Sequence, residues 1–398
     1  MITPKVTQIH HPSGRLYEAF WSFVRSHPLG SFFQSDLGYR FAREWPEAEP
    51  VLLVALREES LKDPGRDRKS VSGRLGRGDG LLFDHEVDHV HKAGSGEGVS
   101  AGSPMIAGSL LGFVVREPLS EKGIFRGLMH MLTPLTTRAM VYGGPLLAEG
   151  TRLEKELVLK VLVKALQDKV EKRSLFTQFR NFYDLTDHVP VFRNLGFGWH
   201  DRLNLLVDTS TREVAWGGMS ASRRRQVRKT LEAGAVLVHE PSTEQIDAFY
   251  DILRRLYLKK IRKPLPSLAC FHLLAQGYGK IILLSHQDRI IGGIACPLLE
   301  GQTMHEWYVC GLDRDYVHRG IYPSVMLTWA AMELAAEKKV KIFDFMGLGR
   351  PDQSYGVRDF KKRFGDQLVN HGRFSKVNRP LLFHIAQMGY NLKSKSSR

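Results

Sequence analysis

Two periods alternate along this chain: short apolar runs of strand length, and longer stretches whose apolar residues recur at helical spacing. In the first half, residues 51–57 (VLLVALR) and 106–116 predict strands, and 141–147 predict a strand entering a Gly-Gly-Pro turn. An amphipathic helix is expected over 151–172, a strand over 175–179, a short helix over 189–195 and a strand over 203–208. The pattern then restarts. A basic helix over 220–233 opens on Ser220 as N-cap and closes at Gly234, and a strand follows over 235–239. A long helix over 243–262 runs into Pro264 and Pro266, which cannot continue it. Strands over 280–286, 289–298 and 304–309 form a meander with Asp288 at its first turn. The chain ends with a helix over 322–338, a strand over 341–345, a short helix over 357–364 and one last strand over 367–377.

The two halves echo each other. In each, a helix leads to a strand and then to a short helix carrying Phe followed by a cation, Phe192-Arg193 in the first and Phe360-Lys361 in the second. Self-similarity at this length predicts a duplicated α/β domain. The division expected is 1–208 and 209–398, with the last helix able to pack back on the first domain. Residues 61–104 break the pattern. They are rich in Gly, Ser and charge and have little to bury, so they read as a flexible insertion in the hairpin between strands 51–57 and 106–116.

Composition narrows the class. A chain of 398 residues that is 43% hydrophobic exceeds what one core serves, which supports two domains. No apolar run approaches the ~18–20 residues of a membrane-spanning helix. The start MITPKVTQIHHPSG has no signal-peptide core, so a cytoplasmic protein is expected. Three cysteines without a CxxC pair read as buried hydrophobes, and sixteen histidines show no ligand spacing, so no metal is assigned. A net charge of +15 points to an anionic partner: nucleic acid, a lipid surface or a phosphorylated small molecule.

A meander followed by helix, strand, short helix and strand resembles the element order of the GNAT acyltransferase fold. In that fold the N-terminus of the helix after the meander meets the donor's phosphates. The usual [QR]-x-x-G-x-[GA] turn keeps only Gly320 here, with Val317 and Tyr322 at the other two positions. The resemblance sharpens in LTWAAMELAAEKKVKIFDFMG and GVRDFKKRFG, which are similar to the C-terminal signature of the FemABX family of non-ribosomal peptidyltransferases. Trp329, Asp344, Gly347, Gly356, Phe360, Lys361, Phe364 and Gly365 stand in register with it. SFFQSDLGYRF (Gln34, Ser35), VYGGPLL (Tyr142, Gly144, Pro145) and RRRQVRKTLEAGAVLVHE resemble its earlier elements.

The resemblance implies two tandem GNAT-like domains of the compact type, without a coiled-coil arm. It also implies transfer of an aminoacyl group from aminoacyl-tRNA to an amine on an anionic peptidoglycan precursor, nucleotide- or lipid-linked, with contact at the inner membrane face possible. No resident cofactor is implied. Residues 344–365 are then the acyl-transfer site. Lys361 is expected to stabilise the carbonyl oxygen as charge grows on it, with Phe360 and Asp344 beside it and Glu149 as the nearest acid to the Gly-Pro turn, a candidate base. Glu306 and Tyr308, two apart on one strand and so on one face, are expected either to line the acyl group or to pair with the next strand. Arg40, Tyr142, Arg225, Arg228, Arg262, Tyr322 and Arg358 are candidate substrate contacts, the arginines because they match phosphate geometry. Two other classes remain open: a GNAT N-acyltransferase using acyl-CoA or an acyl carrier on a sugar or polysaccharide, and a non-catalytic nucleic-acid or membrane-surface binder using the basic helices.

Overall fold

The computed structural model describes residues 4–57, 104–116 and 135–395. But for Pro104, the insertion expected at 61–104 lies outside them. Two eight-stranded mixed sheets form the frame. The first begins with β1 (Lys5–Ile9), helices α1 (Arg15–Ser26) and α2 (Asp36–Glu44), and the long pair β2 (Ala48–Leu56) and β3 (Ile106–Arg116). β2 and β3 pair antiparallel, as the hairpin reading requires. Then come β4 (Thr137–Gly143), β5 (Leu146–Leu147), α3 (Arg152–Val170), β6 (Phe176–Asn181), α4 (Val189–Asn194) and β7 (Gly198–His200). α3 starts with a reciprocal cap: the Thr151 side chain takes the Glu154 N–H and Glu154 takes the Thr151 N–H. It carries the chain over so that β6 lies parallel to β4.

The second sheet repeats this plan. Its elements are β8 (Leu203–Asp208), α5 (Arg212–Gly218), α6 (Ala221–Glu232), β9 (Val236–Val238), α7 (Thr243–Leu256), α8 (Leu268–Leu273), β10 (Gly279–His286) and β11 (Arg289–Leu299). β12 (Thr303–His305), β13 (Tyr308–Gly311), α9 (Asp313–Tyr316), α10 (Pro323–Glu337), β14 (Ile342–Asp344), α11 (Gly356–Lys361) and β15 (Gln367–Asn370) complete it. β16 (Arg373–Val377) and α12 (Pro380–Lys395) close the described chain. The strand orders are β1-β2-β3-β4-β6-β16-β7, with β5 on β3, and β9-β10-β11-β12-β14-β8-β15, with β13 on β11. They match position for position, down to the side strand. The duplication read from one helix–strand–Phe echo therefore extends through the whole sheet.

One strand has been exchanged each way. β8 leaves the first half to pair with β14 and β15, and β16 leaves the second to pair with β6 and β7. The expected division at 208/209 thus does not coincide with the division between sheets. The single strand expected over 367–377 is two, because the chain turns at Gly372 in a left-handed conformation (φ 60°). Phe374 just beyond it stacks on Phe192 at 3.7 Å in the first core. The helix expected over 243–262 also changes form. α7 ends at Leu256, a π-helical turn covers Tyr257–Ile261, and Arg262 closes it at φ 54°. The turn between β10 and β11 holds Gln287 and Asp288 both left-handed, as a tight two-residue hairpin demands.

The halves share a core. Phe33, Phe41 and Trp45 of the first pack on Trp307 of the second with ring centroids 5.8–6.0 Å apart. α12 returns to the first sheet, where Phe383 meets Phe176 edge-on. No helix among the described residues is long and apolar enough to cross a membrane.

Candidate active site

The strand expected over 304–309 is broken in two, and the break makes the site. β12 pairs parallel with β14 over three residues, ending at His305 and Asp344, with one more rung from the Glu306 N–H to the Asp344 carbonyl (2.9 Å). Beyond it β13 continues on β11, and the two strands part. Lys361 reaches this fork from the end of α11. It is buried, its Nζ lies 2.8 Å from Glu306 Oε1, and it donates to the Phe345 carbonyl at 2.8 Å. One ammonium therefore bridges both arms of the fork. An ammonium carries three donors, and among the described residues two have partners. Glu306 also accepts from Thr328 Oγ1 at 3.3 Å.

Beside the fork lies a second buried pair. Asp344 accepts from Asn204 Nδ2 (2.7 Å) on the exchanged strand β8 and from the Met346 N–H (2.5 Å). Burial pushes its carboxyl up to about 6 against the pull of those two donors and of Lys361. His305 Nδ1 lies 3.8 Å from Asp344 Oδ2, and burial lowers the imidazole to about 3, so it is neutral. Met346 holds φ 55°, an uncommon backbone state for a residue other than glycine. Phe33 and Phe182 cover His305 with centroids at 5.5 and 4.6 Å, so the pair faces the seam between the halves.

The predicted residues divide. Lys361, Glu306 and Asp344 come together at the fork. Tyr142 and Tyr308 lie nearby in the seam, Tyr142 stacked on Phe33 at 4.7 Å and Tyr308 against Trp307 at 5.0 Å. Gln34 joins two predicted motifs by donating to the Gly144 carbonyl at 2.8 Å, while Ser35 caps α2. Phe360 packs between Phe364 (5.3 Å) and the Arg223 guanidinium (4.3 Å), a structural contact. Burial, aided by repulsion from Arg363, lowers that guanidinium to about 10. Arg358 ties down the loop before α11, donating to the Leu348 and Arg350 carbonyls. Tyr322 gives its backbone N–H to Thr230 Oγ1 at 3.0 Å, and Arg262 ends the π-helical turn.

The others fall apart from this cluster. Glu149 is exposed and pairs with Lys155 (3.3 Å), Arg40 pairs with Asp36 (2.8 Å), and Arg225 and Arg228 are exposed on α6, Arg228 over the Trp216 ring. Glu149 and Arg40 thus pair with residues close in sequence. In the first half, Arg193 is exposed where Lys361 is buried, so only the second copy carries a cation inward.

Several residues escaped the sequence reading. His305 and Asn204 do, because their partner Asp344 is brought to them only by sheet pairing. Asp313 does too: it takes the Ser324 N–H (3.1 Å) and hydroxyl (2.5 Å) at the first turn of α10, where Pro323 has no N–H to give. The anion-binding end of that helix is thus filled by the chain's own carboxylate. A separate cavity of about 950 Å³ opens at the opposite ends of β12 and β14, among Trp21, Arg25, Lys280, Gln302, Lys338 and Lys341. It touches neither Lys361 nor Asp344, and we assign it no part in the chemistry.

Residues 219–362 match the family described as an acetyltransferase (GNAT) domain, which makes this half a domain of acyltransferase type. No curated protein matches the chain by sequence. Among solved structures, it is similar to a crystal structure of FemX (TM-score 0.57, 12% identity, covering 96% of this chain and all of that one). It is also similar to a tandem GNAT protein from the clavulanic acid biosynthesis pathway (TM-score 0.50, 10% identity, covering 94% of this chain and 98% of that one). At these identities the likeness speaks for the fold, which is a FemABX-like tandem GNAT fold.

Proposed function

We propose that the protein is an aminoacyltransferase that moves an aminoacyl group from aminoacyl-tRNA to an amine of a peptidoglycan precursor or related cell-envelope acceptor. The observation that carries this reading is the Lys361 ammonium, held between Glu306 and the Phe345 carbonyl where β12 and β14 part. An amine attacking an ester carbonyl builds negative charge on the carbonyl oxygen, and a fixed cation in a dry site lowers that barrier. Lys361 has a third donor for that oxygen, and Glu306 positions it. The FemABX-like signature around Phe360-Lys361 and the full-length fold likeness support the same choice.

A second reading, acyl-CoA as donor, is favoured by the GNAT domain match. The first turn of α10 argues against it, because Asp313 occupies the place where donor phosphates would meet the helix. Calorimetric titration of the full chain with acetyl-CoA separates the two. We expect no saturable heat, and tight stoichiometric binding would overturn the choice of donor.

A further inference from the structure

The last helix of the described chain is apolar on two sides. α12 meets the first sheet through Phe383, whose ring lies 5.9 Å from that of Phe176, and Leu382 and Ala386 are half-buried with it. One apolar stripe is enough to hold a helix on a sheet. A second stripe faces away from it: Leu381, Ile385 and Met388 are 83%, 49% and 47% exposed. Steps of four and then three residues set them in one line along the helix. Val377, at the end of β16 just before the helix, is exposed as well. Single exposed hydrophobes are ordinary on a protein surface, but a contiguous stripe of them marks a contact.

Charge decides what meets the stripe. From Gln367 to Arg398 the sequence holds six Lys or Arg and neither Asp nor Glu. Lys393 and Lys395 fall in the last turn of α12, and Arg379 immediately precedes the helix. Arg379 donates to the Lys172 carbonyl at 3.4 Å, which brings the exposed Lys172 to that same end. We propose that α12 docks the protein on an anionic phospholipid bilayer, lying flat with Leu381, Ile385 and Met388 turned into the headgroup–acyl boundary. The basic residues of the segment then neutralise headgroup phosphates. With 16 residues the helix is too short to span a bilayer, but it is long enough to lie in its surface. A second copy of the chain fits less well, because a two-fold contact through α12 would set this acid-free segment against itself. An RNA would answer the charge and leave the apolar stripe uncovered. The proposal does not depend on the transfer reaction and adds a surface remote in role from the Lys361 fork.

The test is co-sedimentation of the full chain with lipid vesicles, without any acyl donor or acceptor, so that its failure leaves the aminoacyltransferase reading standing. We expect binding to phosphatidylcholine vesicles doped with phosphatidylglycerol, little binding to undoped ones, and weakening as salt rises. Leu381→Gln/Ile385→Gln should weaken binding at least about tenfold with an unchanged melting temperature, since both side chains are exposed and glutamine suits a helix. Leu153→Gln, at the other end of α3 and also exposed, should bind like wild type. Equal binding to doped and undoped vesicles, or unchanged binding in the double variant, would overturn the proposal. So would a wild-type dimer in light scattering that the double variant abolishes, because a second copy would then cover the stripe.

Discussion

Replacing Lys361 should do more than slow catalysis, because its ammonium neutralises a buried carboxylate. In Lys361→Met, Glu306 keeps a charge that, among the described residues, only Thr328 at 3.3 Å is left to stabilise. The side chains in the pair are 10% and 1% exposed, so solvent cannot take over. Removing one partner of such a pair costs about 3–5 kcal/mol, roughly a fifth or more of the 5–15 kcal/mol by which domains are stable. Removing both charges together, in Glu306→Gln/Lys361→Met, leaves no orphan and should restore most of that loss. Urea denaturation of the four members of the cycle measures this, and we expect a coupling of at least ~2 kcal/mol. The double variant is then the right protein for testing chemistry. If Lys361 stabilises the oxyanion, its turnover should fall on the order of 10²–10³-fold with the fold intact. A single variant as stable as wild type would refute the buried pair, and a double variant with normal turnover would refute the catalytic role.

Three further outcomes follow from the same structure. Asp344 has a folded-state carboxyl at about 6, above its unfolded value, so it binds its proton more tightly when folded. Its contribution is fully present below about pH 4 and is lost as pH rises to 6. Wild type should therefore lose on the order of 2–3 kcal/mol relative to Asp344→Asn across that window, and parallel urea stabilities at each pH would contradict this. Gly372→Ala would place a Cβ inside the Trp199 ring contact at a left-handed backbone position, so a loss above about 2 kcal/mol is expected by thermal unfolding; an unchanged melting temperature would sink the argument for the exchange turn. Asp313→Ala frees two donors at the start of α10 and should cost about 0.5–2 kcal/mol, checked by denaturant midpoint.

Local chemistry was legible where the partner is near in sequence. Ser220 caps α6 as its position before a polar helix suggests, Asp288 sits in the β10–β11 turn, and the hairpin of β2 and β3 follows from its apolar runs. Longer-range facts were not. The role expected of Lys361 did not carry its partner with it: Glu306, far upstream in the gap between β12 and β13, is brought to 2.8 Å of Lys361 only by the fold. Arg180 and Arg373 meet only through strand register. The exchange of β8 and β16 left one trace, Gly372, and a glycine between two apolar runs does not say which sheet each run will join. The break between β12 and β13 has no sequence mark at all, since alternation continues through Glu306 and Trp307.

Aminoacyl transfer changes the mass of the acceptor, so product masses decide whether the protein performs it. The full chain would be incubated with a pool of charged tRNAs and amine-bearing peptidoglycan precursors, with acetyl-CoA in a parallel reaction. We expect an acceptor heavier by one aminoacyl residue, formed from charged tRNA and lost in Glu306→Gln/Lys361→Met. An acceptor acylated only in the acetyl-CoA reaction would contradict it.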